Sequence, residues 1–271
     1  MQAPTRLCEL VIAVKGGGEM ASAVAWRLFM ANLRRIVVLE TAAPLAVRRE
    51  VAFCEAIRAG AKTVEGVEAV KARGAEDLPA IWGRGQIAVM VDPQWKNLPT
   101  IRPDVLIDAI LAKRNLGTGW GDGAFVIGLG PGFTAGGDVH VVIETHRGHD
   151  LGRIITTGSA APDTGIPAPI DGVADERVLR APEEGEFLSD RRIGERVEKG
   201  AVIGRVAGRV VVGGIGGVLR GLIRSGTRVT RGLKIGDIDP RGNVADCFTI
   251  SDKARAVAGS VLEAVLRAYN R

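Results

Sequence analysis

The sequence predicts an α/β fold in which a largely parallel sheet domain is followed by a small all-β domain and a C-terminal helix. Three observations carry this. An apolar run, Leu10 to Val14, breaks at Lys15-Gly16-Gly17-Gly18 into a helical pattern. The stretch Ala181 to Val206 lies without gaps on Gly213 to Ile238, an offset of 32 residues. The tail from Ser251 to Asn270 carries apolar residues at helical spacing.

In the first of these, Leu10 to Val14 reads as a buried strand, the glycines as a tight turn, and Met20 to Met30 as a helix with Ala21, Val24, Ala25 and Leu28 on one face. A second apolar run, Ile36 to Leu39, ends in Glu40, 22 positions after Gly18. This is the dinucleotide-binding fingerprint of a Rossmann-like domain, with Ala21 in the third small position. Gly16 permits the sharp turn, Gly18 lets backbone N–H groups approach a pyrophosphate, and Glu40 is placed for a ribose diol. The alternative is a plain strand-to-helix turn with a solvated Glu40. Lys15 stands where such a strand usually has an apolar side chain, so it reads as a cation close to a bound phosphate or as a lysine with its head in water. Further strands are expected at Ile87 to Val91 and Val105 to Ile107, ending in Asp92 and Asp108. Carboxylates there sit where open α/β sheets bind ligands, or form turns.

After Asp108 come Lys113 and Arg114, a glycine-rich passage from Gly117 to Gly123, a strand at Ala124 to Ile127, and the loop Gly128 to Asp138. Each glycine costs roughly 0.5 to 1 kcal/mol in chain entropy relative to alanine. A binding loop offsets that cost, because successive N–H groups form anion-binding nests. Gly128, Gly130, Gly132 and Thr134 are the candidates, with Lys113 and Arg114 supplying charge; the alternative is a flexible loop.

The three histidines, His140, His146 and His149, fall within ten residues, with Asp138 just before them and Glu144 among them. In a strand Val139 to Thr145, His140 and Glu144 share a face but stand about 13 Å apart, too far to share an ion. Only His146 and His149, on the following loop, could converge, and no metal is assigned. His140 is instead the candidate for bonding the glycine loop or an anionic ligand.

Composition excludes several classes. The apolar stretches are strand-sized, short of the roughly 18 residues of a membrane span, and the N-terminus lacks the pattern of a signal peptide, so a cytoplasmic protein is expected. Cys8, Cys54 and Cys247 are widely spaced, which suggests neither a disulfide framework nor a zinc site. The net charge of +5 is spread along the chain and only 4% of residues are aromatic, which argues against nucleic acid as a partner.

In the repeat, Gly185 matches Gly217, Gly194 matches Gly226, and Gly200 and Gly204 match Gly232 and Gly236. Each copy reads as strand, glycine turn, strand, basic-Gly turn, strand, so two copies clasp into one small barrel. The pattern resembles the barrel-sandwich hybrid of biotinyl and lipoyl carrier domains. Those carriers present a lysine between their halves; here the connection Ala207 to Val212 has none, and a structural or docking role is expected. Domains are accordingly expected at 1–172, 173–240 and 241–271, the last a helical segment started by Ser251-Asp252 and packing back on the body.

The segments KGGGEMASAVAWRL, PLAVRREVAFCEA, DAILAKRN, GLGPGFTAGGDVHVVIET, TGIPAPI, GVLRGLIRSG, GLKIGDIDPRG and CFTISDKARAVAGSVLEA resemble the YqeB-type proteins of selenium-dependent molybdenum hydroxylase systems. The resemblance covers nearly the whole chain. It implies an accessory role in maturing or supplying the hydroxylase cofactor, with the hydroxylase or its maturation proteins as partners; it carries over no catalytic residues. The resulting expectation is a maturation factor holding a phosphate-bearing nucleotide or pterin, such as an NAD-like dinucleotide or a molybdopterin-type ligand. The alternatives are an NAD-dependent oxidoreductase, against which stands the lack of an obvious catalytic pair beside the fingerprint, and a non-catalytic scaffold. Homo-oligomerisation and a sulfur- or selenium-carrying role for Cys54 or Cys247 are left open.

Overall fold

The computed structural model describes residues 6–165 and 170–270; most of the TGIPAPI segment lies outside them. The chain divides into two units. The first takes residues up to Pro44, Ala52–Asp163 and the segment from Ile250 onward; the second takes Leu45–Val51 and Thr164–Thr249. The division therefore falls at 163/164 rather than 172/173, and a short stretch near residue 48 belongs with the β-rich second unit.

The first unit is built on a nine-stranded sheet. In chain order its elements are β1 (Val11–Lys15), α1 (Glu19–Met30), β2 (Arg35–Glu40), α2 (Ala56–Ala59), β3 (Ala61–Val64), β4 (Val67–Ala72), α3 (Leu78–Gly83), β5 (Ile87–Val91), α4 (Leu98–Ile101), β6 (Val105–Asp108), β7 (Phe125–Leu129), β8 (Thr134–Ala135), β9 (Val141–Ile143), β10 (Ile154–Ile155) and β11 (Gly158–Ser159). The spatial order is β10-β9-β7-β6-β1-β2-β5-β4-β3. From β9 across to β4 every neighbouring pair is parallel, and the antiparallel β10 and β3 close the two edges. β8 and β11 form a separate two-stranded pair.

Both faces of the sheet are covered, which is why the central strands read as unbroken apolar runs. Ala13, Val37, Leu39, Ala88, Met90, Leu106 and Val126 point to one face and pack with Leu78 and Ile81 of α3 and Leu98 of α4. Ile12, Val14, Ile36 and Val38 alternate to the other face and are equally buried. α1 lies there, joined by the C-terminal helix α5 (Asp252–Tyr269), which packs along α1 and reaches β9. Ser251 Oγ caps α5 by accepting from Ala254 N at 3.3 Å, and Ala254, Val257, Ala258, Val261, Ala264 and Val265 form its buried stripe. Only a short 3-10 turn, Trp120–Asp122, lies between β6 and β7, and no α-helix follows either strand before the next; α5, from much later in the chain, covers the sheet beside α1.

The strand expected over 139–145 is shorter, since Thr134, Gly136 and Asp138 tie up the backbone ahead of it. Glu144 lies past the end of β9, where its carboxylate accepts from His146 N and Ala161 N at 2.7 Å each.

The second unit holds β12 (Val178–Arg180), β13 (Gly185–Leu188), β14 (Arg196–Val197), β15 (Val202–Val206), β16 (Arg209–Val212), β17 (Gly217–Leu222), β18 (Thr227–Val229) and β19 (Lys234–Asp239). They form two four-stranded antiparallel sheets, β12-β19-β17-β14 and β16-β15-β13-β18. β13, β14 and β15 correspond to β17, β18 and β19 at the repeat offset. The middle strand of each copy joins the sheet of the other: β14 pairs with β17, and β18 with β13. Corresponding glycines share backbone conformation, with φ of 155° at both Gly185 and Gly217 and 83° and 82° at Gly200 and Gly232. The core between the sheets contains Phe187, Ile203, Val206, Leu219, Leu222, Ile235 and Ile238. Segment 45–51 is fastened to this unit: Leu222 N donates to Val47 O at 2.8 Å, and Arg49 Nε donates to Leu222 O at 2.7 Å.

Candidate functional site

The strand order places a reversal at the centre of the sheet. From β1 the chain moves outward through β2 to one side, then returns to lay β6 against the opposite side of β1. In open α/β sheets ligands bind at the carboxyl ends of strands flanking such a reversal. Lys15, Asp108 and Gly128 are aligned in register across these ends.

The glycine turn after β1 is sharp and tightly packed. Gly16 has φ of +87°, and a Cβ there would come within 3.2 Å of Ile110 Cα. Gly17 is closer still to a neighbour, since a Cβ would fall 2.9 Å from Cys54 Cβ. Gly18 differs. It is the N-cap of α1, contributes no capping side chain, and a Cβ built on it meets nothing within 4 Å.

Glu40 turns into the same bend. Its Oε2 accepts from Gly17 N at 2.8 Å and its Oε1 from Thr41 N at 2.7 Å. The carboxylate thus braces the turn itself, with one contact on each oxygen.

The head of Lys15 does not lie in water. It shares a face with Ala13, opposite α1, so its ammonium points away from the helix N-terminus and is fully buried. Nζ donates to Thr118 Oγ1 and Asp122 Oδ2, both at 2.7 Å, and lies 3.7 Å from the centre of the Trp95 ring. Thr118 Oγ1 in turn donates to Asp108 Oδ2 at 2.7 Å, while Asp108 Oδ1 accepts from Ile110 N at 3.2 Å. Burial pushes the Asp108 carboxyl above the usual carboxylate range, against the opposing pull of Thr118, Ile110 and Lys15. These charges and hydroxyl satisfy one another, which is what a buried polar network requires. Sequence reasoning found Lys15 and Asp108 but missed Thr118, Asp122 and Trp95. The available signal was that a lysine ending a buried strand must be met by an acid, and Asp122 is an acid set within the glycine-rich passage.

The loop 128–137 packs inward. A Cβ on Gly128 would fall 2.5 Å from the Phe133 ring, one on Gly130 2.5 Å from Thr145 Oγ1, and one on Gly132 2.6 Å from Arg114 Cα. The glycines are thus accounted for by close approach. The amides of Gly130, Gly136 and Gly137 donate to Ile143 O, Val139 O and Thr134 O, and Thr134 N donates to Asp138 Oδ2, so these four amides are taken within the chain. Thr134 is exposed, with its hydroxyl 3.2 Å from Ser159 Oγ. Lys113, at φ +62°, pairs with Asp163 at 2.6 Å. Arg114 is exposed beside Gly132, so the loops after β6 and β7 do meet.

His140 lies at the amino end of β9, not at the ligand edge. Its Nδ1 accepts from Val126 N at 3.0 Å, and its ring sits 4.0 Å from Trp120. Burial holds its pKa below the usual value. Asp92 caps a turn, accepting from Lys96 N and Asn97 N at 2.9 and 2.8 Å. A residue unnoticed in the sequence is Lys253, in the first turn of α5. Burial and, next, Arg147 hold its pKa low, while Glu19, Glu144 and Asp163 act the other way. A lysine there opposes the helix dipole. Cys54 and Cys247 are buried, and burial raises the Cys247 thiol, whereas Cys8 is exposed.

The molecule is thus a mixed α/β protein with a large, mainly parallel sheet, smaller antiparallel sheets and a C-terminal helix. Among the described residues no helix is long and apolar enough to cross a membrane. The chain is 44% identical over 256 residues to the uncharacterized protein YqeB of Escherichia coli (strain K12), an alignment covering 94% of this chain and 47% of that protein. It is therefore homologous to YqeB while spanning about half the length of that curated relative. No family model matches the chain. Among solved structures, the product-bound ectoine utilization protein EutE (DoeB) from Ruegeria pomeroyi aligns over 84% of this chain and 85% of that one at 11% identity, with a TM-score of 0.26. An aspartoacylase family protein from Mesorhizobium loti aligns over 85% of each chain at 9% identity and a TM-score of 0.25. Likenesses this distant carry no argument about the site.

Proposed function

We propose that this chain binds a phosphate-bearing nucleotide or pterin at the amino terminus of α1, and serves as an accessory protein in the maturation of selenium-dependent molybdenum hydroxylases in the cytoplasm. The observation that carries the ligand reading is the uncapped, sterically open Gly18 at the central reversal of the sheet. A helix amino terminus offers N–H groups and a favourable dipole to an anion. The run β5-β2-β1-β6-β7-β9 supports it, since this is the strand order of a doubly wound, Rossmann-like sheet. The exchanged strands of the second unit support a barrel-sandwich-like module that docks the partner hydroxylase or its maturation proteins. The pathway itself rests on the YqeB resemblance.

The test is native mass spectrometry of the purified chain with NAD and with molybdopterin, beside Gly18→Asp. Retention of one ligand by the parent and its loss in the variant is the expected result. If neither ligand is retained, and Gly18→Asp leaves hydroxylase activation in cells unchanged, the proposal fails. The amides of Gly130, Thr134, Gly136 and Gly137, which donate within the chain, favour a second reading, a non-catalytic scaffold, which predicts hydroxylase capture that survives Gly18→Asp.

A further inference from the structure

A separate cleft of about 560 Å³ opens beside the buried Lys15 network, between α4 and the segment before β7. Its walls include Trp95, Leu98, Pro99, Arg102, Asp122 and Ala124. Two of these residues hold the left-handed backbone region without being glycine: Trp95 at φ +56° and Arg102 at φ +49°. Such strain persists where surrounding structure over-determines it, and it clusters at ligand sites. The Trp95 indole is braced by the Lys15 ammonium 3.7 Å from its ring centre. The Asp122 carboxylate is held through Oδ2, which accepts from Lys15 Nζ at 2.7 Å and from Gly119 N at 3.3 Å. No protein donor within hydrogen-bond distance is found for Asp122 Oδ1 among the described residues, and the side chain is 28% exposed. The Arg102 guanidinium makes one long bond, from Nε to Pro99 O at 3.4 Å.

We infer that this cleft takes a neutral, planar 2-amino-4-oxopyrimidine ring, the chemistry shared by guanine and pterin. Four features select it. An aromatic wall with Leu98 and Pro99 suits a flat ring. A carboxylate with an unused oxygen accepts from adjacent ring N–H and exocyclic amine groups, which such a ring presents together. Lys15 already neutralises Asp122, so a charged ring gains nothing over a neutral one. The carbonyl edge of the ring has Arg102 as a donor. This inference stands apart from the α1 terminus, because Lys15 and the cleft lie on the opposite face of the sheet from α1.

The test is calorimetric titration of the intact chain with guanosine and with neopterin, neither of which carries phosphate, and with inosine, which lacks the amine. Saturable binding of guanosine or neopterin, at least about tenfold tighter than inosine, is expected; whichever binds more tightly identifies the source. Asp122→Asn should weaken binding by at least about tenfold. Since that change also disturbs Lys15, Ala124→Phe is the second variant: it fills the cleft from an exposed position, leaves the ion pair in place, and should abolish binding. Gly18→Asp should leave guanosine and neopterin binding unchanged, which separates this inference from the phosphate reading. The absence of saturable binding by both compounds, or binding unaltered in Asp122→Asn and Ala124→Phe, overturns it.

Discussion

Lys15 and Asp108 are cross-strand partners at the carboxyl ends of β1 and β6, and the Thr118 hydroxyl joins them, accepting from one and donating to the other at 2.7 Å each. The direction of the chain is fixed because an ammonium only donates, so the Thr118 proton must go to Asp108. A charge is thereby held at the centre of the sheet by a loop that leaves the sheet and returns.

Lys15→Met removes the one cation of this network and leaves Asp122 without its partner. Breaking a buried pair costs about 3 to 5 kcal/mol, and because Asp122 keeps 28% of its side chain in solvent the expected loss is lower, about 2 to 3 kcal/mol. Urea denaturation should show it as a lower midpoint with an unchanged slope.

Asp108 gives a pH signature. Folding raises its pKa, so the folded state binds the proton more tightly than the unfolded chain, whose value is near 3.8. Its contribution is therefore most favourable below that value, and is lost as pH rises through the folded value. Stability measured over a pH series should fall across this window in the parent relative to Asp108→Asn.

The glycine turn separates packing from ligand binding. Gly17→Ala forces a methyl group to 2.9 Å from Cys54 Cβ and should cost about 1 to 3 kcal/mol. Gly18→Asp enters open space at φ −69°, an ordinary N-cap geometry, and should raise stability by a few tenths of a kcal/mol while placing a negative charge where the ligand phosphate is proposed. Thermal melts read the first effect, and ligand retention reads the second.

Cys8 is the exposed thiol, while Cys54 and Cys247 are buried. Native alkylation should label Cys8 rapidly and spare the other two until denaturant is added. Rapid labelling of Cys54 or Cys247 in the folded chain would support a sulfur- or selenium-carrying role, and sparing of both would dismiss it.

Tyr269 ties the end of α5 to the sheet, donating from its hydroxyl to Asp104 O at 2.7 Å. Burial, with Asp104 adding to it, pushes its pKa up to about 12. The neutral phenol is favoured in the fold, so stability is lost as pH climbs from about 10 towards 12. Absorbance titration of the phenolate should show the delayed midpoint, and Tyr269→Phe should cost about 1 kcal/mol at neutral pH while removing that alkaline loss.

Much of the fold was legible because its signals are local. The run before Gly16, the α1 stripe and the α5 stripe each announce an element through spacing alone, and the repeat from Ala181 shows itself as matched glycines whose backbone angles coincide. The β3–β4 hairpin and the short helices α2, α3 and α4 were not anticipated, since a few residues carry too little periodicity. His140 was misplaced for a related reason: its strand begins later than alternation suggested, once Asp138 and the Thr134 turn have claimed the preceding backbone.

The sequence by itself determined the tight turn at Gly16, the apolar strands, the two-copy second unit and an amphipathic final helix, because those follow from residue type and period. Only the tertiary structure decided where the charges go. Alternation says that Lys15 shares a face with Ala13, but not what covers that face. The answer comes from Thr118 and Asp122, 103 and 107 positions away, which reach it because β6 pairs with β1. Glu40 against Gly17 N, Gly130 against Ile143 O and Gly132 against Arg114 follow the same rule: each contact depends on which separate segment arrives beside it.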